Sequence, residues 1–245
     1  MKINYKEPYW IKFEWDLSSH HENQYVTEFN KSENDLLTNI LFNQSFIITC
    51  NFILKNEYKG DEMCTIFGKS GKNLGLRYSK LSKDFCFEFW TNSDSDDVFN
   101  SVVFKTVTLK DLEEGVTITI IRDKQKIKLY KNFIEDNQIN FDGEFIDDYR
   151  RPGLFLGCCN PNPHPHSFAG FTEVDINHFS FINNSSDIDN SKKIYEDDVE
   201  RIHTNNFYND IVFLYNFNTI NNLGIVYDES KNTNFLEKVP KEFII

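Results

Sequence analysis

The sequence predicts an all-β protein built as a sandwich of two antiparallel sheets. Apolar side chains recur at every second position in most segments. In 46–54 (FIITCNFIL), for example, Phe46 and Ile48 fall on one face and Thr49 on the other. The segments are short and are separated by turns rich in Gly, Asn, Asp and Pro. About ten such strands, without helices alternating between them, are typical of a sandwich or barrel and not of a parallel α/β sheet.

The clearest hairpin joins 116–121 (VTITII) to 127–130 (IKLY) through the polar turn 122–125. In 85–90 (FCFEFW) the three Phe residues share one face, and Trp90 lies on the other with Cys86 and Glu88. The same alternation predicts further strands at 8–16, 63–68, 74–79, 101–108, 153–158, 171–182 and 210–217.

One helix is predicted, over residues 187–205, with Ser191 as its candidate N-cap. Its apolar residues Ile194, Val199 and Ile202 form only a narrow stripe, so we expect the helix to pack along an edge of the sandwich.

The composition limits both the organisation and the partners of the chain. No linker or internal repeat divides the 245 residues, so we expect a single domain over 1–245, with strands 8–16 and 210–217 completing the sheets. The formal net charge of −12 disfavours nucleic acid and anionic lipid as partners. No apolar run is long enough to span a bilayer, and the N-terminus lacks the apolar core of a secretory signal. We therefore expect synthesis in the cytoplasm, with incorporation into a virus particle or a surface assembly left open.

Five cysteines, at positions 50, 64, 86, 158 and 159, form no paired C-x-x-C motif of the kind that holds zinc. Cys50 and Cys86 fall inside predicted strands, so we interpret these cysteines as buried, reduced thiols that act as small apolar residues.

The order of the elements resembles a known family. The segments run SFIITCNFILK, CTIFGKSGKNLGLRYS, DFCFEFWT, GVTITIIRDKQKIKLYKNF, GLFLGCCNP and FAGFTEVDINHFSFIN. This succession, followed by SKKIYEDDVERIH and a terminal strand with a D-x-S-x-x-x-N pattern, resembles the laminin G-like, concanavalin A-like jelly roll. The likeness covers roughly residues 40–240. It implies a jelly-roll sandwich and, by family habit, a sugar-binding or adhesive role, although this fold also serves glycosidases and scaffolds.

The resemblance also allows a test for glycosidase activity. Laminarinase-type enzymes of this fold carry two catalytic carboxylates on one strand, a nucleophile and a general acid about 5 Å apart. Glu173 and Asp175 match the start of that motif, but Asn177 and His178 stand where the general acid is needed. Alternation also predicts that His178 points to the opposite face. We therefore expect no catalytic residue and no enzymatic activity, with a divergent glycosidase kept as an alternative.

The candidate binding residues lie in predicted loops. Asp94, Asp96 and Asp97 offer oxygen ligands that suit Ca²⁺, or form a solvated acidic loop. No other cofactor is expected. His164 and His166 lie two residues apart in a Pro-rich segment and either ligate a metal, present rings to a sugar, or belong to a rigid loop without a ligand.

Sugar recognition needs an aromatic ring against the C–H face of a pyranose and polar groups for its hydroxyls. Trp90, beside the acidic loop, and Tyr149, beside Arg150, are the candidates for this contact.

Three functions follow as hypotheses. The first is a non-catalytic carbohydrate-binding or adhesive module, whose partner is a glycan or another protein surface. The second is a structural or assembly protein, in an oligomer or a larger complex such as a virus particle. The third is the divergent glycosidase. None of them involves nucleic acid or membrane insertion.

Overall fold

A computed structural model describes residues 9–12, 44–54, 63–69, 74–93, 96–146, 154–157, 174–197, 202, 206–216, 226–227, 229–230 and 235–238. Strands dominate this part of the chain and form two antiparallel sheets, which confirms the predicted all-β sandwich.

The larger sheet has nine strands. They are β1 (Tyr9–Lys12), β3 (Met63–Lys69), β4 (Leu74–Ser79), β5 (Phe85–Ser93), β6 (Asp96–Val103), β10 (Glu144–Phe145), β11 (Leu154–Leu156), β14 (Val226–Tyr227) and β15 (Phe235–Lys238). Their order is β10-β5-β4-β3-β11-β1-β15-β14, and β6 pairs with β5. Because β6 follows β5 along its length and β4 holds the other side, β6 forms an outer edge of this sheet.

The smaller sheet has six strands in the order β13-β12-β2-β7-β8-β9. They are β2 (Phe46–Leu54), β7 (Val116–Asp123), β8 (Lys126–Lys131), β9 (Ile134–Asn140), β12 (Val174–Asn183) and β13 (Ile211–Asn216). Strand β2 lies between β12 and β7, at the centre of the sheet.

The two sheets enclose one continuous apolar core. It draws residues from β2 through β13 and is rich in Phe. Phe89 of the larger sheet stacks on Phe145 at 4.7 Å between ring centroids, and Phe67 meets Phe179 of the smaller sheet at 5.4 Å. Alternation thus commits one face of each strand to the core and leaves the opposite face outside.

In the described part of the chain, two α-helices and a 3₁₀ helix at Tyr208–Asp210 interrupt the strands. Helix α1 (Leu109–Glu114) begins at a capping box in which the hydroxyl of Thr108 and the carboxylate of Asp111 bond each other's backbone N–H. Helix α2 (Ile188–Glu196) is the predicted helix, but its N-cap is Asp187, whose side chain accepts the N–H of Asp189. Ser191, predicted as the N-cap, lies inside the helix and is buried.

The position of α2 also corrects the sequence analysis, because the helix lies on a sheet face and not along an edge. The Ser191 hydroxyl is 2.5 Å from the hydroxyl of Thr49 on β2 and 3.5 Å from that of Thr119 on β7. Ile194 and Ile202 pack in a second apolar cluster with Ile47 and others on the outer side of the smaller sheet. Val199 lies outside the described residues.

Some strand bounds differ from the predicted ones. The strand expected at 101–108 runs over Asp96–Val103, and its predicted second half is the loop that caps α1. Strands β9, β10, β14 and β15 were not predicted. Strand β9 (IEDNQIN) carries few apolar residues, and the other three have only two to four residues each. The single-domain organisation stays a prediction.

Candidate ligand-binding face

The hairpin of β5 and β6 places two aromatic rings side by side on the outside of the larger sheet. Trp90 pairs with Phe99 in the strand register, and the alternating residues Phe87 and Phe89 face the core. Trp90 and Phe99 therefore both lie on the outer face, with ring centroids 5.3 Å apart and ring planes at 56°. Phe99 is 48% exposed and Trp90 is partly exposed, so this Trp90–Phe99 pair is accessible to a ligand.

Polar side chains flank the Trp90–Phe99 pair along the same face. Two residues before Trp90 on β5, Glu88 lies opposite Ser101 and forms an ion pair with Arg77 of β4. On the other side, Asn92 lies opposite Asp97. The rings are thus bordered by carboxylates, an amide and a guanidinium, the groups that accept and donate hydrogen bonds.

The ion pair depends on a glycine beneath it. Gly75 lies opposite Glu88, and a Cβ atom added at Gly75 would stand 3.2 Å from Nε of Arg77. The absence of a side chain at this position lets the arginine lie across the strand and reach Glu88. The polar border of the ring pair is therefore held in place by local packing.

Chemically, this surface suits a ligand with an apolar face and polar edges. A pyranose ring stacks its C–H face on an aromatic ring, while neighbouring carboxylates, amides and guanidinium groups bond its hydroxyls. The surface is a flat strand pair, so such binding is shallow.

The predicted acidic loop is largely part of the hairpin. Strand β5 continues to Ser93 and β6 begins at Asp96, so Asp96 and Asp97 are strand residues. Both are exposed, and as successive strand residues they point to opposite faces. Asp94 lies outside the described residues. Within the described ranges, no group of three or more His, Cys, Asp or Glu side chains is placed to hold a metal ion, and the Ca²⁺ site stays a prediction.

The other predicted binding residues, Tyr149, Arg150, His164 and His166, lie outside the described residues. Their roles stay predictions. Of the predicted ligand contacts, Trp90 is the one whose surroundings are described.

The candidate catalytic strand is β12, and here one expectation was wrong. The register with β2 shifts between Ile176 and His178, so β12 carries a β-bulge at Asn177. The extra residue moves His178 onto the outer face, opposite Asn51 and in phase with Asp175, where alternation alone predicted the other face. A sequence pattern cannot reveal such an inserted residue. Glu173 lies outside the described residues, and Asp175 is buried.

The hydrogen bonds of His178 resemble those of a catalytic triad, with Ser180 in the place of the nucleophile, His178 in that of the base and Asn216 in that of the orienting group. Its Nδ1 lies 2.9 Å from Oδ1 of Asn216, and its Nε2 lies 2.9 Å from Oγ of Ser180. Asn216 donates its amide to Glu229, which turns its oxygen toward the ring, so Nδ1–H of His178 donates and Nε2 accepts from Ser180.

This arrangement is unsuited to catalysis because it is closed to a substrate. Ser180 is 1% exposed and His178 is 3% exposed, and the ring of Tyr195 packs edge-on against His178 at 5.3 Å. Burial, partly offset by the bond to Asn216, lowers the pKa of His178 to about 4. The ring is therefore neutral at physiological pH and holds the strands together.

The sequence analysis missed Phe99, the partner of Trp90. Residues 96–100 (DDVFN) show little apolar alternation because an edge strand is exposed on both faces. Its register against β5 depends on the two-residue connection at 94–95, which composition does not specify.

The described cysteines fit their interpretation as buried thiols. Cys50, Cys64 and Cys86 are buried, and none of these three is in a disulfide. Burial, with further contributions from the charge and hydrogen bonding of Glu88, raises the pKa of the Cys86 thiol to about 12, so this thiol is not a nucleophile at neutral pH. Cys158 and Cys159 lie outside the described residues. As for membranes, none of the helices in the described part has the length and apolarity to span a bilayer.

Comparison of the structure with solved structures supports the fold. A protein of Bacteroides ovatus ATCC 8483, described as a "putative carbohydrate binding protein", matches with a TM-score of 0.57 at 11% identity, over 97% of this chain and 59% of that one. The binding domain of botulinum neurotoxin DC in complex with rat synaptotagmin II matches with a TM-score of 0.44 at 11% identity, over 64% of this chain and 36% of that one. A botulinum neurotoxin type C structure, described by its interaction with two ganglioside molecules, matches with a TM-score of 0.46 at 12% identity, over 67% of this chain and 38% of that one.

The chain thus spans about three fifths of the Bacteroides protein and less than two fifths of the toxin domains. No model of a protein family matches the sequence, and no curated protein matches it. At this level of similarity the shared property is the fold, a sandwich of two antiparallel sheets.

Proposed function

We propose that this protein is a non-catalytic carbohydrate-binding module and that the Trp90–Phe99 pair is its sugar contact. The observation that carries the proposal is a ring pair on the outer face of a strand pair, with Phe99 exposed and Trp90 partly exposed. Glu88 with Arg77 borders it on one side and Asn92 on the other. Exposed aromatic side chains cost solvation free energy, so their presence on an outer sheet face favours a binding role.

Two further facts support a binding role over catalysis. The Bacteroides protein, described as a "putative carbohydrate binding protein", shares the fold over nearly the whole chain. In addition, the nucleophile-like Ser180 and the base-like His178 are both buried. Since the fold alone does not determine function, the ring pair remains the specific argument.

A site of this kind binds weakly. Shallow stacking of one sugar typically gives a Kd of about 1 mM, or about −4 kcal/mol. Useful affinity then requires several contacts at once, either within one chain or between copies on a surface.

A glycan array tests the proposal directly. The wild-type chain is compared with Trp90→Ala and Phe99→Ala, and with Leu81→Ala as a matched control, because Leu81 is an apolar residue 78% exposed in the turn between β4 and β5. We expect glycan binding by the wild type and by Leu81→Ala, and at least tenfold weaker binding by Trp90→Ala. Binding that is the same in all four proteins, or absent in all, would contradict the proposal.

A second candidate function is docking of another protein at the edge of β6. This strand pairs with β5 within the described sheets, and it exposes Phe99 and Val103 on its outer face and Val98 on the opposite face, so both faces of an edge strand carry apolar residues. Such an edge suits an adhesive or assembly role in which a partner strand adds to the sheet. Val98→Lys would break this contact. We expect that an oligomer seen by sedimentation of the wild type is lost in Val98→Lys, whereas sugar binding is kept.

A further inference from the structure

A second group of aromatic and amide side chains lies on the outer face of the smaller sheet, beyond the C-terminal end of α2. It consists of Asn51 on β2, Asn177 on β12, Phe133 in the turn between β8 and β9, and Tyr195 in the last turn of α2. All four are at least partly exposed, and Tyr195 is 37% exposed. We call these four residues the helix-end patch.

Hydrogen bonds fix the two amides of the helix-end patch. Nδ2 of Asn177 donates to Oδ1 of Asn51 at 2.9 Å, and Nδ2 of Asn51 donates to the hydroxyl of Thr117 at 2.9 Å. The second N–H of each amide and the Oδ1 of Asn177 have no side-chain or loop hydrogen bond within the described residues. The bulge at Asn177 is the reason that its amide stands beside that of Asn51. Two oriented amides are thus available to hydroxyl groups of a ligand.

The two rings form a wall beside these amides. The ring centroids of Phe133 and Tyr195 are 5.5 Å apart, and Tyr195 is held from behind by its edge contact with His178. One element contributing to this wall is a hairpin turn and the other is a helix, so the rings do not share a strand as Trp90 and Phe99 do.

The backbone conformation of Phe133 independently favours a binding role for its ring. Asn132 and Phe133 have φ angles of +50° and +64°, the two positive values of a type I′ turn. Asn is common at the first of these positions, but the second favours Gly, because a large side chain in the left-handed region is strained. A Phe at this position costs folding free energy that Gly would not cost, and strain of this kind clusters at binding sites.

The absence of charged side chains in the helix-end patch limits the classes of ligand that it can bind. Its four residues are two amides, a Phe and a Tyr, so the patch contains no Asp, Glu, Lys, Arg or His, and Thr117, which accepts from Asn51, is a hydroxyl. A patch of amides and rings without a charged group selects hydroxyl-bearing neutral ligands over phosphates or acidic sugars.

We infer that the helix-end patch is a second saccharide site, which takes a neutral hexopyranose with its C–H face on Phe133 and Tyr195 and its hydroxyls on Asn51 and Asn177. The inference extends the carbohydrate binding proposed above to a second site. The Trp90–Phe99 pair lies on the outer face of the opposite sheet, and two packed sheets alone separate their faces by about 10 Å. One sugar residue cannot touch both sites, so the chain would bind two glycan branches and gain by multivalency.

Titration of the full chain with methyl glycosides of glucose, galactose, mannose and N-acetylglucosamine, followed by NMR, separates the two sites. The titration is made in the Trp90→Ala background, where binding at the ring pair is removed. We expect at least one glycoside to bind this variant. Adding Phe133→Gly should weaken that binding at least tenfold, and adding Asn177→Ala should weaken it severalfold. Ile134→Ala, at an exposed neighbour in the same hairpin, is the matched control and should leave it unchanged.

Thermal unfolding tests whether the Phe133→Gly variant loses binding only because it is less stably folded. Because Gly relieves the strain at position 133, the Phe133→Gly variant should unfold at the same temperature as its parent or a higher one. A lower unfolding temperature together with lost binding would show that Phe133 is only a packing residue and would overturn the inference.

The remaining outcomes each decide between the two sites. If wild type binds a glycoside and Trp90→Ala binds none, the second site is wrong and the ring pair stands. If Trp90→Ala binds as well as wild type and Phe133→Gly abolishes binding, the ring pair is wrong and the helix-end patch stands. Binding in the Trp90→Ala background that survives Phe133→Gly overturns the helix-end patch, and no binding by any protein overturns both.

Discussion

The outer faces of the two sheets differ in what lies on them. On the larger sheet, the hairpin of β5 and β6 presents exposed rings and charged side chains, among them Phe99 and the Arg77–Glu88 ion pair. On the smaller sheet, α2 covers the central strands, and beneath it lie buried hydroxyls and an apolar cluster around Ile194. The same alternation that builds the core thus leaves two outer faces. We call the outer face of the smaller sheet the closed face, because α2 covers its central strands and the helix-end patch lies only at the end of that helix. We call the solvent-exposed outer face of the larger sheet the open face.

We expect similar truncations on the two faces to lower the free energy of unfolding by very different amounts. Ile194→Ala removes a buried side chain on the sheet-facing side of α2 and should lower the free energy of unfolding by about 2–5 kcal/mol. Phe99→Ala, on the open face, should lower it by less than about 1 kcal/mol. Denaturant unfolding of both variants measures the difference. Equal losses would show that the two faces serve the fold alike.

The closed face should also make stability depend on pH. The ordinary pKa of His is 6.5, and burial lowers that of His178 to about 4, so between these values the unfolded chain binds a proton that the folded chain does not. Stability therefore falls as the pH drops from 6.5 to 4, by about 3 kcal/mol from this group. This prediction is tested by measuring the free energy of unfolding of wild type and His178→Asn at several pH values. The free energy of the variant should change less with pH over this range. Identical profiles would mean that His178 titrates normally.

Asp111 makes a separate contribution at lower pH. Burial acts to raise the pKa of this carboxyl, but hydrogen bonds from Lys131 and Thr108 outweigh it and lower the pKa to about 2. Its stabilisation is present above the ordinary pKa of 3.8 and is lost as the pH falls toward 2. The two ranges do not overlap, so the His178 effect can be read alone above pH 4.

A smaller difference is expected from a single hydroxyl. Ser191→Ala leaves the buried hydroxyl of Thr49 without its bond from α2 and should cost about 1–2 kcal/mol. Ser101→Ala, at an exposed position on the open face, should cost less than about 0.5 kcal/mol. Thermal unfolding of the pair checks this prediction. A larger loss in Ser101→Ala would contradict the distinction between the faces.

The sequence allowed one face to be predicted better than the other. Alternation within 85–90 placed Trp90 outside the core, because every second residue of a regular strand shares a face. The placement of His178 failed since the bulge at Asn177 changes the phase, and bulges leave no mark in composition. The position of α2 failed for another reason. Its narrow apolar stripe suggested an edge, whereas hydroxyl pairs between Ser191, Thr49 and Thr119 also hold it on the sheet.

The contact of Trp90 with Phe99 could not be predicted from the sequence, for a related reason. Trp90 and Phe99 meet because β5 and β6 pair in one register, and that register is a property of the connection between them. The helix-end patch likewise combines a bulge, a turn and a helix end, and distant parts of the chain supply its residues.

Glycan binding by the open face through the Trp90–Phe99 pair can be tested by an NMR titration. The wild type and Trp90→Ala are each titrated with the strongest glycan from the array. We expect shifts at the Trp90 indole and along the facing residues of β5 and β6 in the wild type, and at least tenfold weaker binding in Trp90→Ala. Shifts that leave Trp90 unmoved, with full affinity in Trp90→Ala, would contradict this expectation.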